Sequence, residues 1–197
     1  MRSTASTTVY DPFARPASVS RRRWLQQVAG LALATTCGLG GRLAQARSLD
    51  IGKPAPPLVL HTIDGKTLAT QDLHGQVVII AFWASWCDPC LAELPVLSAY
   101  AERHAQDGLQ VLGFSLDDPE DLPSVRKVGA RLSFPVGLLG GAYAGDYGRI
   151  WKMPVSFVLD RDGRLADNGW NDPTPAWTPE RLHRVVDPLL AAPARPI

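Results

Sequence analysis

Two cysteines three positions apart, Cys87 and Cys90, are the residues of this chain best suited to chemistry. The apolar run Val77–Ser85 before them is typical of a strand buried on both faces. Asp88 and Pro89 favour a helix that starts directly after Cys87. Unpaired backbone N–H groups and the positive end of the helix dipole would then stabilise a thiolate on Cys87. The spacing therefore predicts thiol–disulfide exchange, in which Cys87 attacks and Cys90 resolves the mixed disulfide.

The elements that must position these cysteines alternate between strands and helices, which predicts an α/β sandwich. An Asp-Gly turn at residues 64–65 favours an early β-hairpin, so the sheet should be mixed. One helix should run from Asp88 to a stop at Gly108, with Pro95 bending it. The other predicted elements are strands at Leu58–Thr62, Lys66–Thr70, Leu109–Leu116, Phe134–Leu139, Val155–Asp160 and Arg164–Asn168, helices at Pro119–Leu132 and residues 178–190, and a small helix or turn at Gly140–Trp151.

The N-terminus has the pattern of an export signal. SRRRWLQ at residues 20–26 precedes an apolar run at 28–41 and the small-residue cleavage site AQA at 44–46. The paired arginines resemble the twin-arginine motif. We therefore predict a signal segment at 1–46, a linker at 47–57, a domain at 58–192 and a loose tail at 193–197.

Two other interpretations of the N-terminus compete with a cleaved signal. An uncleaved N-terminal anchor would hold the protein at a membrane, although the apolar run has 14 residues and a spanning helix needs about 20. A lipoprotein signal would use Cys37, but Thr36 precedes it where Gly or Ala is usual. On the favoured interpretation Cys37 is removed, and the mature protein works in the bacterial periplasm, an oxidising compartment.

Charge argues against a nucleic-acid partner. Six of the 20 Lys and Arg residues lie within residues 1–46, together with a single acid. The remaining 14 basic and 18 acidic residues give the rest of the chain a negative balance. Phosphate contacts need clustered basic side chains, which this part of the sequence does not offer.

Three other roles compete for the cysteine pair. A structural disulfide would close too short a loop to stabilise much. A Cu(I) chaperone would also use two thiolates and remains an alternative, although no Met/His cluster supports it. Zinc needs four ligands, and the histidines are scattered at His61, His74, His104 and His183. We therefore expect no metal site, and no cofactor besides a redox-active disulfide.

The segment FWASWCDPCLAELP, residues 82–95, resembles the TlpA/ResA/CcmG group of exported thiol–disulfide oxidoreductases. APPLVLHTIDGKTL, DLHGQVVIIAFWASWC and YGRIWKMPVSFVLDRDGRL extend the resemblance over nearly all of the predicted mature chain. It implies a thioredoxin-like sandwich, with a central mixed β-sheet flanked by helices, an N-terminal β-hairpin and a central insertion. It also implies client proteins that carry disulfides and a membrane thiol carrier that donates electrons.

The resemblance implies roles for two residues besides the cysteines. Glu93 matches an acidic residue of the group and would accept or relay the proton of Cys90. As an alternative, Glu93 is an exposed acid in the first turns of the helix. Pro154 is expected to follow a cis peptide bond with Met153, whose backbone would pair with an incoming peptide.

Trp86, Asp88, Pro89 and Met153 are expected to contact the substrate. Trp86 would shield the sulfur pair and offer apolar surface to partners, whereas Trp83 is expected in the core. The negative charge of Asp88 would disfavour the thiolate of the attacking cysteine and make the pair more reducing. Asp88 could equally cap the helix without a redox role.

These observations predict a periplasmic enzyme that reduces disulfides in client proteins, for instance during cytochrome c or metal-site maturation. A peroxiredoxin-like peroxide reductase is an alternative that shares the fold. That chemistry usually employs a single peroxidatic cysteine rather than C-x-x-C at a helix start. The segment Asn171–Trp177 receives no role, except that Trp177 could cover the sheet.

Overall fold

The structure is a computed structural model and describes residues 49–193. The predicted signal at 1–46, which contains Cys37, and residues 194–197 of the predicted tail lie outside the described residues. The strands are β1 (Val59–His61), β2 (Thr67–Ala69), β3 (Val77–Trp83), β4 (Leu109–Ser115), β5 (Val136–Leu138), β6 (Val155–Leu159) and β7 (Leu165–Asn168). The helices are α1 (Asp88–His104), α2 (Leu122–Gly129), α3 (Pro179–Val185) and α4 (Asp187–Ala191). None of the helices described is long and apolar enough to cross a membrane.

Five strands form one sheet in the order β5-β4-β3-β6-β7. The central strand, β3, runs parallel to β4 and antiparallel to β6. The strands β1 and β2 form a separate antiparallel hairpin. The predicted mixed sheet, N-terminal hairpin and thioredoxin-like sandwich are confirmed. Between β4 and β6 the chain adds α2 and the edge strand β5, which form the central insertion that the resemblance implied.

Every residue of β3 is buried, as its apolar run predicts. On one face of the sheet, Ile79 belongs to a core cluster with Leu94 and Leu97 of α1. On the other face, Ile80 belongs to a second cluster with Phe157 of β6. Both faces of β3 are covered and both of its edges are paired, so the strand lies in the middle of the sheet and the loop after it emerges at a defined end.

The helix α1 ends where the sequence predicts. It continues through Pro95 to His104, and a 3₁₀ turn at Ala105–Asp107 follows. Gly108 then adopts a left-handed conformation with φ of 81°. Glycine takes this conformation without the steric cost that a Cβ imposes, so the predicted stop is confirmed.

Two helix predictions are wrong in detail. The single helix predicted over residues 178–190 is two helices, α3 and α4, which meet at Val186. Pro188 explains the break, because it has no N–H to donate to the carbonyl four residues earlier. The helix predicted over Pro119–Leu132 begins as a 3₁₀ turn at Pro119–Asp121 and is α-helical only in α2.

The described part of the predicted linker pairs with the domain. The N–H of Gly52 donates to the carbonyl of Leu165 at 2.7 Å, and the N–H of Leu165 donates to that of Lys53 at 2.9 Å. Ala55 is buried in the second core cluster. Residues 52–55 therefore run beside β7 and extend the folded unit beyond the predicted boundary at residue 58.

The N-terminal hairpin approaches the edge strand β5 through its backbone. The N–H of Ile63 donates to the carbonyl of Val136 at 2.9 Å. A Cβ placed on Gly137 would lie 2.0 Å from the carbonyl oxygen of His61. A backbone atom cannot move aside alone, so this approach requires glycine at position 137.

We expect Gly137→Ala to lower the free energy of unfolding by about 3 kcal/mol, because the added methyl group forces the hairpin away from β5. Equilibrium unfolding in urea measures the change. Gly129→Ala is the matched control and should cost less, since its methyl group would meet side-chain atoms of Val136 and Ile63. An unchanged unfolding midpoint for Gly137→Ala would contradict the close backbone contact.

Candidate active site

Cys87 and Cys90 form a disulfide at the start of α1. Cys87 is the N-cap residue, and its Sγ accepts a hydrogen bond from the N–H of Cys90 at 3.3 Å. Cys87 is 7% exposed, whereas Cys90 is fully buried. An incoming sulfur therefore reaches Cys87 first, in agreement with the predicted order of attack.

A buried carboxylate fixes the loop between β3 and α1. Asp117 is 1% exposed and accepts a hydrogen bond from the N–H of Ser85 at 2.8 Å. The hydroxyl groups of Ser85 and Ser115 donate to the same carboxylate. Sequence reasoning missed Asp117, although an acid two residues after β4 was a usable signal, because parallel neighbours such as β3 and β4 end at the same edge of a sheet.

Glu93 lies one helical turn after Cys90 and is only 4% exposed. Its Oε2 accepts a hydrogen bond from the backbone N–H of Trp177 at 2.6 Å. The alternative that Glu93 is an exposed helix acid is therefore wrong. Burial raises the pKa of Glu93 to about 7, while the N–H of Trp177 and the charge of Arg181 act in the opposite direction. A carboxyl group with this pKa can gain or lose a proton near neutral pH.

A buried ionic cluster holds in place Trp177, whose backbone N–H donates to Glu93. Arg181 is 3% exposed and pairs with Asp167 at 2.6 Å and with Asp172 at 3.0 Å. Its guanidinium group lies 4.0 Å from the centre of the Trp177 ring. The arginine also donates to the carbonyl of Pro175 at 3.1 Å. These contacts hold Asn171–Trp177, the segment that presents the Trp177 N–H. The sequence analysis gave this segment no role except that Trp177 could cover the sheet.

The indole ring of Trp177 attaches the segment before α3 to the sheet. Its Nε1 donates to Ser156 on β6 at 3.0 Å, and the ring is 2% exposed. The expectation that Trp177 covers the sheet is confirmed. Trp83, expected in the core, is also fully buried.

The exposed side of the disulfide lies in a surface groove of about 580 Å³. The groove brings together all four residues that were predicted to contact substrate, and adds others from the segment before β6. Its lining residues are Trp86, Cys87, Asp88, Pro89, Leu116, Ala142, Ile150, Trp151, Lys152 and Met153. The Met153–Pro154 peptide bond is cis, as expected, and Pro154 itself is buried.

Asp88 lies in the first turn of α1, which bears on both of its predicted roles. Its side chain is exposed, and the N-cap of α1 is Cys87. Asp88 is therefore not the N-cap itself but the acid of the first turn, directly after the attacking cysteine, and the effect of its charge on the cysteine pair stays a prediction. Among residues 49–193, no three His, Cys, Asp or Glu side chains are arranged so that they could hold a metal ion.

Residues 51–168 match the model of the AhpC/TSA family, which is more than half of the chain. The chain belongs to the AhpC/TSA family. The thiol-disulfide oxidoreductase ResA of Bacillus thuringiensis (strain Al Hakam) is 31% identical to it over 130 residues, which cover 64% of this chain and 73% of that protein.

Solved structures agree with this assignment. A thiol:disulfide interchange protein DsbE from Chlorobium tepidum has a TM-score of 0.61 at 29% identity, covering 73% of this chain and 99% of that one. StoA from Bacillus subtilis has a TM-score of 0.52 at 26% identity, covering 68% and 98%. This AhpC/TSA-family member is accordingly a thiol–disulfide oxidoreductase of the ResA/DsbE type that carries a Cys87–Cys90 pair. The names of these relatives favour disulfide exchange over the peroxide-reductase alternative.

Glu93 makes the stability of this family member depend on pH. Its pKa is about 7 in the folded protein and 4.5 as an ordinary glutamate. Between these pH values the folded state keeps a proton that the unfolded state has lost. The contribution of Glu93 to stability is therefore full below pH 4.5 and is lost as pH rises to about 7, on the order of 3 kcal/mol in total.

Glu93→Gln should abolish this loss, because the amide does not titrate while its oxygen still accepts from Trp177. We expect the variant to gain stability relative to the wild type as pH rises through this range. Urea unfolding of both proteins at several pH values measures the difference. Glu102→Gln removes an exposed acid from the same helix and should keep the wild-type pH dependence. A wild-type minus Glu93→Gln difference that is constant with pH would contradict the raised pKa.

Proposed function

We propose that this protein is a periplasmic dithiol reductant, which passes two electrons from a membrane thiol carrier to disulfides in client proteins. The observation that carries the proposal is the asymmetry of the pair. Cys87 lines an open groove, whereas Cys90 is fully buried, and Glu93, one helical turn further along α1, is also buried. This asymmetry supports a role for Cys87 in the attack on a client and a role for Cys90 in its release.

The reaction proceeds in two exchanges from the reduced protein. The Cys87 thiolate attacks one sulfur of a client disulfide, so that a mixed disulfide forms and the other client sulfur leaves as a thiolate. The Cys90 sulfur then attacks the Sγ of Cys87, which re-forms the Cys87–Cys90 disulfide and releases the second client thiolate. The client gains two electrons, and the protein loses them.

Glu93 supports the second exchange by taking a proton. Cys90 must lose its proton before it can attack, and it lies in a buried site that water does not readily reach. With a pKa of about 7, the Glu93 carboxylate is a suitable acceptor at neutral pH. The proton can later return through the same carboxyl group when the carrier reduces the disulfide.

The proposed location rests on the signal-type pattern of residues 1–46. Export by the twin-arginine route would deliver the folded domain to the periplasm, and an uncleaved segment would instead anchor it at the membrane. Apocytochrome c and metal-site assembly proteins are the clients that we propose, because their cysteines must be reduced before they bind haem or metal.

Reduction of insulin by the dithiol form tests the proposed activity. We expect activity in the wild type and its loss in both Cys87→Ser and Cys90→Ser. Cys90→Ser should also accumulate mixed disulfides with periplasmic clients, since it can attack but not resolve. Cys87→Ser is the control, because it lacks the attacking sulfur. If Cys90→Ser captures no more protein than Cys87→Ser, the reductant role is contradicted.

The charge of Asp88 should tune the reduction potential. Asp88 follows Cys87 directly and is exposed, so its negative charge disfavours the adjacent thiolate with moderate strength. Asp88→Gly or Asp88→His should make the potential more oxidising by roughly 10–30 mV. Equilibration with glutathione measures the potential, and Glu102→Gln at the far end of α1 is the control. An unchanged or more reducing potential in the Asp88 variants would remove Asp88 from the mechanism.

A further inference from the structure

Trp151 is a large exposed aromatic residue beside the reactive disulfide, and it is 72% exposed. It stacks on Trp170 with ring centres 5.5 Å apart and planes inclined by 6°. Trp170 is fixed in turn, because its Nε1 donates to the carbonyl of Tyr147 at 3.2 Å. An aromatic side chain that is held in place by a stack, yet left mostly in water, is typical of a contact surface.

Trp86 adds a second exposed ring to the same groove. It precedes Cys87 in the chain and is 62% exposed. The charged residues of the groove lining are Asp88 and Lys152, which have opposite signs. Lys152 is already engaged, since its Nζ donates to the carbonyl of Asp172 at 3.2 Å. The groove therefore offers no net charge and suits an apolar occupant.

The chemistry of the disulfide determines which part of a client enters this groove. A mixed disulfide places the client sulfur on the Sγ of Cys87, which is itself a lining residue. An extended chain advances about 3.3 Å per residue. The client residues next to the cysteine must then lie within a groove of about 580 Å³ whose walls include Trp86 and Trp151.

We propose that Trp151, together with Trp86, is a specificity determinant that selects client segments with an aromatic or large aliphatic residue next to the cysteine. This inference rests on the proposed reductase function and deepens it. Aromatic rings bury a large apolar area at a low cost in conformational entropy, and the stack on Trp170 reduces that cost further. A matched client residue should accelerate the exchange about fivefold.

Symmetric peptide dimers provide the test. Each peptide has one cysteine, which links it to an identical copy, and the series differs only in the neighbouring residue: Phe, Ser, Lys or Glu. The rate constant for reduction by the dithiol protein is divided by that for dithiothreitol, which removes intrinsic differences among the disulfides. We expect the wild type to favour the Phe peptide about fivefold over the Ser peptide, with no preference for Lys or Glu.

Trp151→Ala should bring the Phe/Ser ratio close to one, whereas Trp151→Phe should retain most of it. Tyr143→Ala is the matched control, because Tyr143 is 70% exposed but does not line the groove; it should keep the wild-type ratio. A wild-type ratio of one, a preference for a charged peptide, or an unchanged ratio in Trp151→Ala would overturn the inference.

Insulin reduction measured in parallel separates the two possible failures. If insulin is reduced and the peptide ratio is one, the reductase function stands and the role of Trp151 fails. If neither insulin nor any peptide is reduced, the proposed function itself fails. Because each ratio compares two substrates on one preparation, partial misfolding of a variant does not alter it.

Discussion

The burial of β3 on both faces is the constraint on which the site depends. Core clusters cover both faces of β3, and β4 and β6 pair with its two edges, so the strand lies inside the sheet and the chain that leaves it turns at the end of the sheet. The helix α1 starts there and returns across the face that contains Ile79, packing Leu94 and Leu97 against it. Cys87 therefore becomes the N-cap of a helix whose position the core determines, and the N–H of Cys90 donates to its sulfur there.

Burying the carboxyl group of Glu93 is costly, and its surroundings show how the fold limits the cost. An isolated buried carboxylate would be strongly destabilising. Here the Trp177 N–H donates to it, and the nearby charge of Arg181 favours the ionised form, so that the pKa stops at about 7. Arg181 is itself buried, with Asp167 and Asp172 as its counter-ions. The acid at the reactive pair thus depends on an ionic cluster contributed by a distant part of the chain.

The sequence was informative where local patterns decide structure. The β3 run, the helix start after Cys87 and the stop at Gly108 all depend on periodicity, capping and backbone preference within a few residues. The partners of Glu93 could not be read in this way, since Trp177 is 84 positions away and its backbone N–H, rather than its side chain, makes the contact. The broken C-terminal helix is different, because the sequence shows the cause. Pro188 predicts a break, whereas the apolar spacing taken alone predicts one continuous helix.

Reactivity and selectivity come from separate parts of this fold. The sulfurs, Glu93 and Asp88 belong to α1 and its N-cap, whose position is tied to the core through β3. The aromatic wall at Trp151 belongs to the irregular segment before β6. This segment and α1 line the same groove but are different elements of the chain. Such a segment can change its side chains without disturbing the sheet, since loops tolerate substitution better than core strands. One redox centre can therefore serve different clients through changes that leave its sulfur chemistry intact, as expected when a site is built on a common fold.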